Sequence, residues 1–311
     1  MKTKAIHFTA FGNAAIVQVS SEPLTSLPFL PAGPAIKSGG LIISELTASG
    51  SVGQLAALNK TADYLLLTDA DVLTGAKQNR VVNRSVLLAP SARTVIGVSC
   101  VERLRWNYRS SSFSTPGSVA DPNLRSRKAG TFSRMKPADE TDFRDTQGEV
   151  WDHVSANLAC EGVHSQTESY EELLQFRMQK AERAFPGCNP ADGCNGLAVL
   201  IDGKVISADL FGNEESYRYY FPMLRDAAFT LSRPGAKKNQ PEMHESYFRA
   251  LEAIDEFSDA LRHPEESHPG AGTLNMVETE RLVGFSLIHG EEMIHNALFV
   301  RQEQSTKPFA D

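Results

Sequence analysis

The four cysteines of this chain, Cys100, Cys160, Cys188 and Cys194, include no C-x-x-C pair, and the one close pair at 188 and 194 has no second half at zinc-site spacing. They read as free thiols in a reducing compartment, not as a disulfide framework. No apolar run approaches the ~20 residues that a helical membrane span requires. His7, Asn13 and Gln18 interrupt the stretch that follows Lys2 and Lys4, which makes it a poor secretion signal. A cytoplasmic protein with no membrane partner is the expectation. Positive charge is also scarce: 31 Lys and Arg stand against 38 Asp and Glu, a net charge of −7. The cations are scattered and form no stripe, which argues against duplex nucleic acid as a partner. A small anionic ligand held by one or two arginines remains compatible with this balance.

Familiar catalytic signatures are missing too. There is no H-E-x-x-H, no G-x-S-x-G elbow and no H-x-E with P-C-x-x-C, and Gly39-Gly40 and Gly193 to Gly196 lack the spacing of a phosphate loop. No motif identifies a cofactor, which stays unknown, and no metal site is expected. His289 and His295, which straddle a turn within reach of Asp209 in principle, read as a solvated hairpin end in preference to a metal site.

What the sequence does contain is enough apolar material for a core: 311 residues, 41% hydrophobic and 22% charged, a length that favours two units. Up to residue 108 the apolar residues come in short groups rich in β-branched types: 15–19, 40–46, 64–67, 80–88 and 94–101. Pro23, Pro28, Pro31 and Pro34 break the interval between the first two, which reads as an irregular crossing loop. Residues 109–148 are polar, with five serines between Ser110 and Ser118 and then clustered cations and acids. This stretch is either a solvated linker or a lid over a site. From Trp151 the spacing becomes helical, through Val154 and Leu158, Tyr170 to Ala181 with Thr167 as N-cap and Gly187 beyond its end, Tyr217 to Leu231 and Met243 to Leu261. Gly196 to Phe211 and Gly284 to Phe299 read as two hairpins turning at Asp-Gly and His-Gly, by duplication or by common turn chemistry. The expected fold is α+β. An N-terminal antiparallel β-sandwich or barrel (1–108) precedes a linker or lid (109–148) and a helical domain with two β-hairpins (149–311).

The densest polar stretch runs from Asp69 to Trp106. Gln78, Asn79 and Arg80 set amide groups beside a guanidinium fork, which suits a ligand with carbonyl, hydroxyl and phosphate groups. If 78–88 is one strand, Gln78 and Arg80 share a face while Asn79 and Asn83 share the other. Along 98–102 the same rule turns Cys100 and Glu102 one way, with Arg80 as the partner of Glu102 if the strands are neighbours. The alternatives are an Arg80–Glu102 ion pair that closes a sheet edge, with Cys100 as apolar filler, or a ligand site. A Cys100 nucleophile would need a base from elsewhere, His153 being first choice.

Gly75-Ala-Lys-Gln-Asn-Arg80, Ser99-Cys-Val-Glu102 and Arg105-Trp106 together resemble the domain family named for association with ADP-ribosylglycohydrolases and rhodanese-phosphatase proteins. The likeness continues through Leu124-Arg125, Gln147-x-x-x-Trp151 and the Gly196 to Phe211 hairpin. Ala70-Asp71 stands where a Gly-Glu pair is usual, so any acid–base role falls to a side chain one methylene shorter. The resemblance implies handling of NAD-derived or ADP-ribose-like nucleotides in a bacterial conflict or defence setting. Glu102, Asp71 and Cys100 would be the catalytic candidates. Gln78, Asn79, Arg80, Asn83, Arg105, Trp106 as a stacking face, Arg125 as a closing cation and Gln147 would be the ligand contacts. The competing expectation is a non-catalytic scaffold in which these residues knit the two units together.

Overall fold

Ala15, Val17 and Val19 leave one face of a strand and Ala14 and Ile16 the other, and all five are buried, so the sheet that holds them is covered on both sides. That sheet has seven antiparallel strands in the order β1 (Lys2–Phe11), β2 (Ala14–Glu22), β12 (Gly196–Ile201), β13 (Lys204–Phe211), β16 (Glu292–Val300), β15 (Leu282–His289), β14 (Thr273–Glu278). One face packs Ala15, Val17, Val19, Ala198 and Leu200 against Ala250, Ala253, Ile254 and Phe257 of α6 (Met243–Ala260). The other packs Ile16, Leu197, Val199 and Phe211 against Tyr217, Tyr220, Phe221 and Leu224 of α5 (Glu214–Phe229). The computed structural model describes residues 1–134, 144–182, 187–232, 241–261 and 268–301, with backbone only at 144–146 and 180–182.

A second β unit encloses its own core. Six strands run in the order β11 (Phe113–Ser114), β7 (Val72–Gly75), β8 (Arg80–Val82), β10 (Arg93–Cys100), β5 (Gln54–Asn59), β4 (Leu41–Glu45). Three more, β3 (Phe29–Pro31), β6 (Tyr64–Leu67) and β9 (Val86–Leu88), make a small sheet in which β3 and β6 are parallel. Leu41, Ile43, Leu55, Leu67, Val82, Leu88, Ile96 and Val98 fill the interior of a nearly closed, barrel-like shape, with α1 (Ala32–Ser38) against it. Three further helices, α2 (Pro122–Phe132), α3 (Arg144–Glu161) and α4 (Tyr170–Glu182), bring Leu124, Val150, Val154, Leu173 and Leu174 onto Val72, Val81 and Val101 on its outside.

The mixed α/β character and the barrel-like N-terminal sheet agree with expectation, and the organisation of the second half differs. The two expected hairpins are strands of the seven-stranded sheet, and a third hairpin, β1–β2, joins them: Val19 pairs with Gly196 and Ala14 with Ile201. Residues 2–22, read from the sequence as part of the N-terminal β unit, therefore belong to the seven-stranded sheet of the second half of the chain. The expected strand 78–88 is two strands, β8 and β9, separated at Asn83 to Ser85. The proline-rich interval contains β3 and α1, and the polar stretch 109–148 contains β11, α2 and the start of α3, its residues 135–143 lying outside the described residues. Gly187 is described, but 183–186 are not, so its placement beyond α4 has no described connection to the helix. Among the described residues no helix is long and apolar enough to cross a membrane.

Candidate functional site

Strand β10 ends at Cys100, directly opposite Arg80 on β8. Past that point the chain turns away: Val101 N–H donates to Asn79 O, and Glu102 forms a bridge with Ser169. Glu102 is thus carried off the strand face, and the expected Arg80–Glu102 pair does not form. Glu102 instead pairs with Arg105 at 2.7 Å and lies 3.6 Å from Arg109. It also accepts from Asn79 N–H at 3.2 Å and Thr167 Oγ1 at 2.9 Å, so Thr167 serves Glu102 and is not the cap of α4. Burial alone would push this carboxyl up, but the donors from Arg105, Thr167 and Asn79 outweigh it and hold the group below its ordinary range.

Arg105 is occupied in the same way. Its guanidinium donates to the carbonyls of Ala76 (2.8 Å), Asn107 (2.8 Å) and Gly75 (3.2 Å) and to Asn79 Oδ1 (3.1 Å). Gly75 and Ala76 both have positive φ, 120° and 37°, the second unfavourable for a residue with a Cβ. Arg105 holds this tight turn closed, and Asn79 reaches beyond it to Glu171 at 2.8 Å.

Arg80 lies beneath a different surface. It donates through Nη1 to Gln78 Oε1 at 3.0 Å, on the side where same-face alternation places Gln78, and Glu45 of β4 lies 3.8 Å away. Arg80 Nε and Glu45 Oε1 are buried without a hydrogen-bond partner. The ring of Trp106 lies 5.7 Å from the Arg80 guanidinium carbon, and Lys77 Nζ sits 5.4 Å from Trp106 and 5.0 Å from Tyr108. Trp106 is 42% and Tyr108 52% exposed.

Other sequence candidates have structural partners. Cys100 is buried, its Sγ approaches Val52 O at 3.5 Å, and burial pushes the thiol up to about 11, the reverse of an activated nucleophile. Gln147 accepts from Cys100 N–H at 2.7 Å and donates to Cys100 O at 2.8 Å, extending the ladder of β10 with a side-chain amide. Asn83 accepts from Ser99 Oγ at 2.7 Å. His153 does not serve Cys100; it pairs with Asp121, the N-cap of α2.

Arg125 is no lid cation. It lies 1% exposed on α2 between two carboxylates, with its Nε and Nη2 each 2.9 Å from Asp69 and its Nη groups 3.0 and 2.6 Å from Asp209. Asp209 continues to His295 Nε2 at 3.2 Å, and His295 Nδ1 to Ser85 Oγ at 2.9 Å. Asp209, held as a carboxylate, can only accept, so Nε2 is the donor toward it; Ser85 Oγ, which accepts Asp69 N–H, bonds Nδ1 on the other side of the ring. This Ser–His–Asp chain is sealed from solvent and joins the two β units. His289, on the other side of the turn, meets Tyr64 edge-on with ring centroids 5.5 Å apart, whereas His295 is buried, so the two histidines have separate surroundings and His295 is not at a solvated hairpin end. Lys128, one helical turn after Arg125, donates to Asp69 O at 2.7 Å and Val82 O at 2.5 Å, and burial pulls its amine down to about 7. Asp71 accepts from Thr68 N–H, Thr68 Oγ1 and Tyr220 O–H; burial and nearby Asp69 still raise its carboxyl above the ordinary range.

A model for the ARG and Rhodanese-Phosphatase-superfamily-associated Protein domain matches residues 3–299, a span that includes strands of all three sheets. The chain belongs to this family. No curated protein and no solved structure is similar enough to count as a match. In this family member the residues singled out in the sequence divide into three groups. Gln78, Arg80 and Trp106 meet at one partly exposed face. Asn79, Glu102 and Arg105 lock the turn beside it. Arg125 and Asp71 belong to the buried junction between the β units. Sequence reading missed Lys77, Tyr108 and Glu45 at the face, and Asp69, Lys128 and Ser85 at the junction. Asp121-Pro122, an N-cap followed by proline, was the available signal for α2 and hence for Arg125 and Lys128 on one helical face.

Proposed function

We propose that the protein recognises a small anionic nucleotide-like molecule, NAD-derived or ADP-ribose-like, on the face where Trp106 and Tyr108 flank Lys77 above Arg80. The observation that carries this reading is the exposed aromatic pair with an ammonium between the rings, over a buried guanidinium whose Nε has no partner. Flat rings suit a base, and the cations suit phosphate. Trp106, Tyr108 and Lys77 would contact the ligand, with Arg80, held by Gln78, adding positive charge from beneath, while Asn79, Glu102 and Arg105 would fix the turn that presents Lys77. The family's naming for association with ADP-ribosylglycohydrolases supports the ligand class and a conflict or defence setting. Recognition is favoured over processing, because Glu102 is held as a carboxylate by its donors and Cys100 is held as a thiol.

Calorimetric titration with ADP-ribose and with NAD tests the proposal. Saturable binding by the parent, weakened about tenfold or more in Trp106→Ala, is expected. The second reading, a scaffold, is favoured by the internal bonds of Asn79, Glu102 and Arg105. It predicts no heat with either compound and an Arg80→Ala protein markedly less stable than its parent.

A further inference from the structure

Helix α2 buries Arg125 and Lys128 and turns another side outward, with Arg127 and Gly130 one turn apart and Arg134 just past the helix end. His153 and Asn157 recur at four on α3. These side chains line a groove of about 770 Å³, within the roughly 300–1,000 Å³ typical of small-molecule sites. Ile206, Val283 and Val300 of the seven-stranded sheet give it an apolar wall, and Arg301 adds a third guanidinium.

Two polar groups of the groove are fixed from behind. His153 Nε2 lies 3.3 Å from Asp121 Oδ2, and that oxygen also receives Tyr170 O–H at 2.7 Å and Arg177 at 3.2 Å. The same Arg177 donates to Asn157 Oδ1 at 2.5 Å. A histidine and an amide one turn apart on a helix face would ordinarily be free to change rotamer; here a buried arginine and carboxylate hold both in place before any ligand arrives. The cations are not all neutralised locally. Glu278 accepts from Arg301 and lies near Arg134, and Glu149, the carboxylate in the groove lining, accepts from Thr131 Oγ1 at 3.1 Å; Arg127 forms no ion pair among the described residues, so the three guanidiniums outnumber the lining carboxylate. Gly130 has no atom within 4 Å of where a Cβ would stand, so open space continues over the helix at that point.

We infer that this groove binds a small molecule carrying a phosphate or diphosphate beside a flat apolar group. The phosphate lies on Arg127 and Arg134 with His153 and Asn157 beside it, and the flat group lies against Ile206, Val283 and Val300. Its residues share none with the Trp106 face, and it stands whether or not that face binds anything.

The test is calorimetric titration of the full chain with ADP and with inorganic pyrophosphate. ADP is expected to bind saturably and more tightly than pyrophosphate, because only ADP reaches the apolar wall. Arg127→Glu weakens ADP binding about tenfold or more. Measured in a Trp106→Ala background, so that the other face contributes nothing, Gly130→Trp, which fills the groove from an open helix position, abolishes ADP binding, whereas Gly130→Ala leaves it intact. Absence of saturable binding by either compound to a parent protein with a normal unfolding transition would overturn the inference. So would ADP binding that persists in Arg127→Glu and Gly130→Trp; loss in Trp106→Ala alone would assign the binding to the other face.

Discussion

Arg125 makes charged hydrogen bonds to two carboxylates, Asp209 on β13 and Asp69 in the turn between β6 and β7, with almost no exposure to water. Leaving both carboxylates buried without their cation should cost about 3–5 kcal/mol, so Arg125→Met is expected to lower the urea midpoint strongly despite its similar volume. Lys128, beside it, makes a prediction of different sign. Its amine donates to two carbonyls, which a neutral amine with two N–H bonds can still do. The folded value of about 7 lies below the ordinary 10.5, so between those pH values the unfolded chain binds more protons. Stability contributed by this residue therefore rises with pH across that window, and Lys128→Met should flatten the rise. Urea unfolding at successive pH values from 7 upward reads it directly. Asp121 and Asp209 act in the acid range: each is held below its ordinary value despite burial, Asp121 by His153 and Arg177 and Asp209 by Arg125 and His295, so their stabilisation is lost as pH falls. At this scale the sequence was legible where alternation alone decides, as in Gln78 sharing a face with Arg80. It was not legible where the chain leaves a strand, as at Glu102, because a turn after Cys100 redirects every later side chain.

Among elements, α2 was hidden by its own charge pattern. Inward Arg125 and Lys128 beside outward Arg127 leave no plain apolar stripe, although Leu124, Ala129 and Phe132 are buried. Helices α5 and α6 were legible because Tyr217, Tyr220, Phe221 and Leu224, and Ala250, Ala253, Ile254 and Phe257, fall at helical spacing and are all core. Gly130→Ala should stabilise α2 by about 0.5–1 kcal/mol, since the position is helical and open, and thermal unfolding would show it. Helix α3 is tied to β10 through Gln147. Gln147→Leu removes a donor and an acceptor from Cys100 at once, and two buried backbone groups left unpaired should cost about 1–3 kcal/mol each. A urea midpoint no lower than the parent's would mean that water reaches Cys100.

At the scale of the molecule, short-range pattern revealed two kinds of segment but not which strands are neighbours. The β1–β2 hairpin lies in the first 22 residues and pairs with β12, so a unit drawn at residue 108 cuts through a sheet. A fragment ending at residue 108 would expose both faces of β2 and leave Asp69 without Arg125. Such a fragment is expected to show no cooperative unfolding by circular dichroism. A sharp transition in it would mean that the first β unit folds without the sheet that completes it.

The distance along the chain between β2 and its partner also sets a waiting time during synthesis. Ser21 N–H is received by Asn195 Oδ1, 174 residues later. At about 5–20 residues per second, a ribosome takes roughly ten to thirty-five seconds to make the intervening stretch. Throughout that interval the apolar Ala14 to Val19 edge has only β1 beside it, and its other side is open to any strand that drifts past. Cells making this protein should therefore show nascent chains held by a ribosome-associated chaperone over that interval.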